Sequence, residues 1–99
     1  MTRIEFLEAA VTDLAETVAY YNSSQEDLGY EFLDEFKRTL NRIIAFPEAW
    51  PPISVKTRRC QTNRFPYGVI YKINHDFLLV VAVMHLHSEP EKWKKRKND

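Results

Sequence analysis

The spacing of apolar side chains along the chain predicts a strand, two helices and then three more strands. Residues 3–7 alternate between polar and apolar side chains, as a short first strand does. From about Glu8 to Tyr21 the apolar residues recur every three or four positions, which is the pattern of one helix face. That face consists of Val11, Leu14, Val18 and Tyr21.

A second helix is predicted to run to about Ala45 and to end before Pro47, whose ring cannot continue it. Ser24, with Asp27 three residues later, resembles a weakened capping box at its start, because Asp replaces the usual Glu. Only a short connection separates the two helices, so they are expected to pack antiparallel as a hairpin. The apolar face of the second helix consists of Leu33, Phe36, Leu40, Ile43 and Ile44, while Glu31, Asp34, Glu35 and Lys37 fall elsewhere.

The second half of the chain predicts a meander of three strands. Residues 46–52 contain three prolines and form a crossover loop, which Trp50 is expected to fix to the core. The strands are placed at residues 54–60, 65–73 and 77–86, and the last is almost wholly apolar, as suits a strand covered on both faces. Neither helical stripe is wide enough to form a core alone. The predicted fold is therefore α+β, with an N-terminal strand, an antiparallel helical hairpin and a three-stranded antiparallel meander, the helices packed on one face of the sheet.

Length and composition narrow the class of protein. Ninety-nine residues, 44% of them hydrophobic, predict a single domain over residues 1–99. No apolar run is long enough to span a membrane, and the first ten residues lack the pattern of a signal peptide. The single cysteine, Cys60, cannot form an internal disulfide, and a reducing cytoplasm is the expected location. No metal-binding spacing of Cys and His occurs, so neither a metal site nor a cofactor is expected.

The net charge of zero hides an acidic half and a basic half. Residues 1–50 contain 4 Lys and Arg against 10 Asp and Glu, a net charge of −6, and residues 51–99 contain 10 against 4, a net charge of +6. A basic half favours an anionic partner, which would be nucleic acid or an acidic protein. The alternative is that the two halves of the protein simply neutralise each other.

The hairpin of the last two strands is expected to bring its outer ends together. With a turn at residues 74–76, opposing residue numbers add to about 150 or 151. This register places Tyr67 near Val83 or Met84. It also places Arg64 opposite His87, to within one residue.

Arg64, His85 and His87 are the candidate catalytic residues at this corner. The two histidines are two positions apart, so they point to the same side of a strand. Guanidinium binds phosphate, and imidazole transfers protons near neutral pH, a combination suited to RNA cleavage. The alternative for each histidine is a structural role at the strand end, and His75 is expected to be only a turn residue.

Six basic residues are candidates for binding a target or nucleic acid. Three of them are arginines that precede or open the hairpin, and the other three belong to the basic tail at residues 94–97. The alternative roles are a solvated strand edge that discourages pairing with other chains, and a solvated tail. The six are Arg58, Arg59, Arg64, Lys94, Lys95 and Arg96.

Four segments of the chain are distinctive in combination. They are AVTDLAETVAYY, then LGYEFLDEFKRTLNRI followed by AFPEAWP, then RRCQTNRFPYGVIYKI and finally VVAVMHLHSEPEKW. Together they resemble the RelE/ParE toxins of bacterial type II toxin–antitoxin modules, over about Ile4 to Trp93. The resemblance implies a plasmid-stabilization type of toxin that inhibits growth and is neutralised by a cognate antitoxin, expected to mask it with an acidic segment. RelE-like members cut messenger RNA on the ribosome without a metal, whereas ParE-like members inhibit DNA gyrase.

Two departures from the RelE pattern favour a ParE-like function. RelE nucleases carry a functional arginine where this chain has Gly68, and basic residues where it has Ser88 and Glu89. The ending Val83-Met84-His85 is closer to ParE-like members. The first hypothesis is a ParE-like toxin that inhibits gyrase by binding. The second is a RelE-like messenger RNA endonuclease, and the third is a non-toxic nucleic-acid or protein adaptor.

Overall fold

The predicted order of elements is confirmed, and a short helix follows the last strand. The computed structural model describes residues 3–96. Its elements are β1 (Arg3–Phe6), α1 (Glu8–Ser24), α2 (Leu28–Ala45), β2 (Thr57–Gln61), β3 (Tyr67–Ile73), β4 (Phe77–His85) and α3 (Glu91–Lys94).

The four strands form one sheet in the order β1-β4-β3-β2. The strands β2, β3 and β4 pair antiparallel as a meander, whereas β1 pairs parallel to β4, with Arg3 beside Phe77. The connection from β1 to β4 contains the helical hairpin and the strands β2 and β3, so it is long enough for the crossover that a parallel pair requires. The almost wholly apolar β4 is thus an inner strand of the sheet.

Each face of the sheet packs against a different part of the chain. The two helices cover one face, where Val80 and Tyr71 pack with Phe32 and other apolar side chains of α2. On the opposite face Trp93 of α3 packs with Ile70 and other apolar residues of β3 and β4. The predicted packing of the helices on one face is confirmed, and the second layer explains why β4 is apolar on both sides.

A β-bulge at Val81 changes the register of the β3–β4 hairpin. Near the turn, Tyr71 pairs with Val80, and the residue numbers add to 151 as predicted. Beyond Val81 the pairing shifts by one residue, so Tyr67 pairs with His85 and not with Val83 or Met84. Because side chains alternate along a strand, this extra residue brings His85 to the same side as Tyr67.

The connection between the two helices differs from the prediction. The predicted capping box is wrong, because α1 continues to Ser24, whose hydroxyl donates to the Tyr20 carbonyl at 3.1 Å. The α2 helix instead begins after Asp27, which has the left-handed φ of 66° and no side-chain cap. Gly29 allows the close helix contact, since a Cβ there would lie 2.1 Å from the Val18 carbonyl oxygen.

The buried faces of both helices also differ in detail from the apolar stripes. Val11 was predicted to face the core but is 52% exposed, and Ala10 takes the buried position in its place. Glu35 was placed outside the buried face of α2 but is only 4% exposed. Both differences arise because the sheet lies slightly to one side of the apolar stripe, where sequence spacing cannot locate it.

Candidate functional site

Glu35 fixes the turn that leads from β2 into β3. Its carboxylate, on α2, accepts a hydrogen bond of 2.5 Å from the backbone N–H of Asn63, in the turn between β2 and β3. The guanidinium groups of Arg38 and Arg42 lie 3.2 Å and 3.8 Å from the same carboxylate and balance its charge. A buried carboxylate is tolerated when it is paired in this way. A role for Glu35 was not predicted, and its signal in the sequence is an acidic residue between Phe32 and Thr39, which are both buried.

The structure pairs the Arg64 side chain with the second helix, α2. Arg64 has the left-handed φ of 75°, and its guanidinium forms an ion pair with Glu31 on α2. The same guanidinium lies 4.9 Å from the centre of the Phe65 ring. Among residues 3–96, no hydrogen bond or ion pair joins Arg64 to His85 or His87. The tight turn directs the Arg64 side chain towards α2, and its position opposite His87 stays a prediction.

The two histidines do lie together, as their spacing predicted. The His85 and His87 ring centres are 5.4 Å apart, and the Tyr67 ring lies 5.3 Å from His85 on the other side. The His87 backbone N–H donates to Nδ1 of His85 at 3.1 Å. Nδ1 is thus an acceptor, and the neutral ring of His85 carries its proton on Nε2. Both histidines are exposed, whereas Tyr67 is half-buried against the core, so the histidine end of this row of three rings faces solvent.

Beside the histidines, a cleft of about 480 Å³ lies between α1 and the end of β4. Its volume lies in the range of small-molecule sites, but it is open to solvent at the end of the sheet. The acidic and aromatic side chains that α1 contributes to this cleft were not predicted from the sequence. Its polar lining includes Glu16, Tyr20, Tyr67, His85, Ser88 and Lys92.

Arg96 closes the edge of β4 that β1 leaves uncovered. Its two guanidinium nitrogens donate to the Asp13 carboxylate at 2.7 Å and 3.0 Å, a bidentate pair. Arg96 also donates to the Val81 carbonyl, while Asp13 accepts from the Val83 N–H. The charge that the sequence assigned to a target-binding tail is thus used within the molecule. Asp13 was not predicted, although a carboxylate directly beside Leu14 of the predicted apolar face was a visible signal.

The other candidate cations have different surroundings. Arg58 donates to the carbonyls of Glu48 and Trp50, at 3.2 Å and 2.7 Å, and so holds the crossover loop. Arg59, Lys94 and Lys95 are exposed. The remaining tail residue, Lys97, lies outside the described residues.

The buried groups with shifted pKa values belong to the core and not to the exposed corner. Burial raises the pKa of the Cys60 thiol, and its side chain has no exposed surface, so it is not placed to act as a nucleophile. Burial raises the pKa of Tyr71 to about 12, and its hydroxyl donates to the Pro47 carbonyl at 2.6 Å. His75 pairs with Asp76 in the β3–β4 turn, as expected for a turn residue.

Two classes of site are not found in the described part of the chain. Between residues 3 and 96, no group of three or more His, Cys, Asp or Glu side chains is placed to hold a metal ion. No helix in the same range is long and apolar enough to cross a membrane.

Comparisons with known proteins identify a family and a shared fold. The family model described as ParE toxin of type II toxin–antitoxin system, parDE, matches residues 4–90. A solved structure of the chromosomal ParDE TA system from P. aeruginosa contains a chain with a TM-score of 0.75 and 12% sequence identity. The match covers 86% of this chain and 96% of that chain, and at this identity it shows a shared fold. A comparison with curated proteins found no match.

Proposed function

The chain belongs to the ParE toxin family and is the toxin component of a type II toxin–antitoxin system, and we propose that it inhibits growth by binding DNA gyrase. The family match over residues 4–90 carries this proposal. The target itself follows from the ParE-like resemblance of the sequence. The contacts around the exposed corner favour the same function.

The arrangement of charges supports binding more than cleavage. RNA cleavage at the corner would require a guanidinium beside the imidazoles, to bind the phosphate while a histidine moves a proton. Arg64 is instead paired with Glu31, and Arg96 with Asp13. The polar side chains near the histidines are Tyr67, whose ring contacts His85, and Lys92, which lines the adjacent cleft. Messenger RNA cleavage is therefore the alternative outcome that the experiment must detect.

As a type II toxin, the protein has an antitoxin as its partner. We propose that the antitoxin masks the basic half with an acidic segment, since residues 51–99 carry a net charge of +6. Opposite charges across an interface accelerate association and are screened by salt. Binding to the protein encoded beside this gene is expected to weaken as sodium chloride is raised from 50 to about 500 mM. An affinity independent of salt would contradict electrostatic masking.

The target is tested by inducing expression and following three properties together: growth, DNA supercoiling and integrity of total messenger RNA. Gyrase inhibition predicts growth arrest with relaxed or cleaved DNA and intact messenger RNA. The purified protein should likewise inhibit supercoiling by purified gyrase. Cleaved messenger RNA with normal supercoiling would contradict the gyrase proposal and favour the nuclease.

The variants His85→Ala, His87→Ala and Arg64→Ala separate the two mechanisms further. A catalytic histidine would lose about 10²–10⁴-fold in cleavage rate on replacement. A binding surface would lose much less from either exposed ring. Growth arrest that survives all three substitutions would exclude this corner as the functional site.

A further inference from the structure

One arginine differs from all the others in its surroundings. The sequence contains seven arginines. Six of them have ion-pair or hydrogen-bond partners, namely Arg3, Arg38, Arg42, Arg58, Arg64 and Arg96. Within residues 3–96, the guanidinium of Arg59 has no such partner, and its side chain is exposed. It is the one arginine of the described chain whose full hydrogen-bonding capacity is available to another molecule.

Gly68 determines where the Arg59 side chain lies. Arg59 pairs with Ile70 across the β2–β3 ladder, so both point to the sheet face opposite the helices. A Cβ built on Gly68 would lie only 2.7 Å from both Cγ and Cδ of Arg59. The arginine stem therefore lies flat on the β3 backbone, in the space that any other residue would fill. The guanidinium is carried over the sheet and does not extend freely from the edge strand.

The surroundings of Arg59 define the chemistry of its partner. Leu86 also lies over Gly68, with Cδ2 3.4 Å from the built Cβ, and Met84 pairs with Gly68 from β4. Both apolar side chains are half-buried. A guanidinium held beside apolar surface, with its stem already ordered, loses little conformational entropy on binding. Arginines of this kind are enriched among the residues that dominate protein–protein interfaces.

A carboxylate fits this position better than a nucleic acid. Nucleic-acid binding draws on several cations that each neutralise a phosphate. Here the neighbouring arginines are already engaged, Arg58 with the crossover loop and Arg42 with Glu35. A single planar cation instead matches one carboxylate, with two parallel hydrogen bonds. We propose that Arg59, positioned by Gly68, is the anchor that binds an aspartate or glutamate of the toxin's protein target.

This inference rests on the proposed function, and purified gyrase is the probe. Supercoiling inhibition and binding affinity are compared for the wild type and Arg59→Gln, Arg59→Lys and Gly68→Ala. Arg59→Gln is expected to weaken both by about 30-fold or more, as loss of an interface anchor does. Arg59→Lys keeps the charge but loses the planar fork, so it should also bind at least about 10-fold more weakly.

Gly68→Ala tests the positioning directly. The added methyl displaces the Arg59 stem while leaving the guanidinium in the protein, so affinity should fall although the net charge is unchanged. Arg3→Gln is the matched control, because it removes one exposed arginine charge from a different part of the sheet. It should change affinity by less than about 2-fold, the range of a peripheral charge. Circular dichroism and urea unfolding confirm that each variant is folded.

The outcomes separate this inference from the proposed function. Inhibition of gyrase by Arg59→Gln as strong as that by the wild type overturns the role of Arg59 and leaves the gyrase proposal intact. If the wild type does not bind gyrase, the growth arrest caused by induced expression is compared between the variants. Growth arrest that persists in Arg59→Gln overturns the role of Arg59. Growth arrest that is lost in Arg59→Gln but kept in Arg3→Gln supports that role. If Arg59→Gln lost affinity only for a DNA duplex, nucleic acid would be the partner of Arg59, and the proposal of a carboxylate partner would be overturned.

Discussion

Replacing Asp13 with alanine is expected to destabilise the protein more than any other single replacement of a charged side chain. The Asp13 carboxylate accepts one hydrogen bond from the Val83 N–H and two from Arg96. Its removal leaves the backbone of β4 open beside the bulge. It also leaves Arg96, which keeps only the Val81 carbonyl, without a counter-charge.

The magnitude follows from the burial of this pair. Removing one partner of a buried ion pair costs about 3–5 kcal/mol of unfolding free energy. The Arg96 and Asp13 side chains are 18% and 14% exposed, so water solvates the remaining charge in part. The lower end of that range, about 3 kcal/mol, is therefore expected. For a domain of this size the loss corresponds to a fall in Tm of roughly 12 °C or more.

A double-mutant cycle in urea measures the coupling between the two side chains. Arg96→Met retains the apolar stem and removes the charge, and its expected cost is about 2 kcal/mol. Asp13→Ala with Arg96→Met should cost about the same as Asp13→Ala alone, which gives a coupling energy of about 2 kcal/mol. The slope of unfolding free energy against urea should stay constant across the cycle, so that the midpoints report stability directly.

Arg3→Met is the matched control for the cycle. Arg3 pairs with Glu5 at 2.6 Å, but these side chains are 59% and 46% exposed. Such a surface pair contributes at most about 1 kcal/mol. The reasoning would be refuted if Asp13→Ala and Arg96→Met were additive to within about 0.5 kcal/mol, because contact between the side chains would then carry no stability.

The other predictions concern buried contacts that organise the core. Glu35→Ala should lower the unfolding free energy by about 2–3 kcal/mol in a urea titration, since the Asn63 N–H and two arginines lose their acceptor. Gly29→Ala should cost roughly 3 kcal/mol, because its Cβ would meet the Val18 carbonyl at 2.1 Å. Tyr71→Phe should cost about 1 kcal/mol at neutral pH. Because the pKa of Tyr71 is raised from 10.0 to about 12, its contribution is complete below pH 10 and is lost as the pH rises towards 12.

Each of these predictions has an outcome that would contradict it. A Glu35→Ala protein as stable as the wild type would show that the turn at residues 62–64 does not depend on that carboxylate. An unchanged Tm for Gly29→Ala would mean that the helices separate without cost. For Tyr71, ultraviolet absorbance at alkaline pH reports phenol ionisation, and loss of a late transition in Tyr71→Phe is expected. A wild-type titration complete near pH 10 would contradict the burial argument.

The elements could be predicted from the sequence because their signals are local. Helix and strand periodicities depend on residues that are close in the chain. Pro47 likewise ends α2 through its own ring, independently of how the helix packs on the sheet. The covering of β4 on both faces was also visible, since an almost wholly apolar strand must be buried on both sides. The same local pattern placed His85 and His87 on one side, and the structure brings their rings together.

The partners of the charged groups were decided by the tertiary structure alone. Arg64 pairs with Glu31 across 33 positions of sequence, and Asp13 pairs with Arg96 across 83. No spacing rule connects such residues, because their meeting depends on how the hairpin of helices lies across the sheet. The sequence therefore identified a basic half, but it did not show which of its cations form ion pairs or hydrogen bonds within the protein.

The corner predicted from Arg64, His85 and His87 shows the same division. The sequence by itself determined the order of elements, the two-sided burial of β4 and the resemblance to RelE/ParE toxins. Only the tertiary structure decided that a bulge at Val81 sets His85 beside Tyr67, that the turn sends Arg64 towards α2, and that Gly68 makes room for Arg59. Periodicity is a property of neighbours in the chain, whereas a single inserted residue or a missing Cβ acts through neighbours in space.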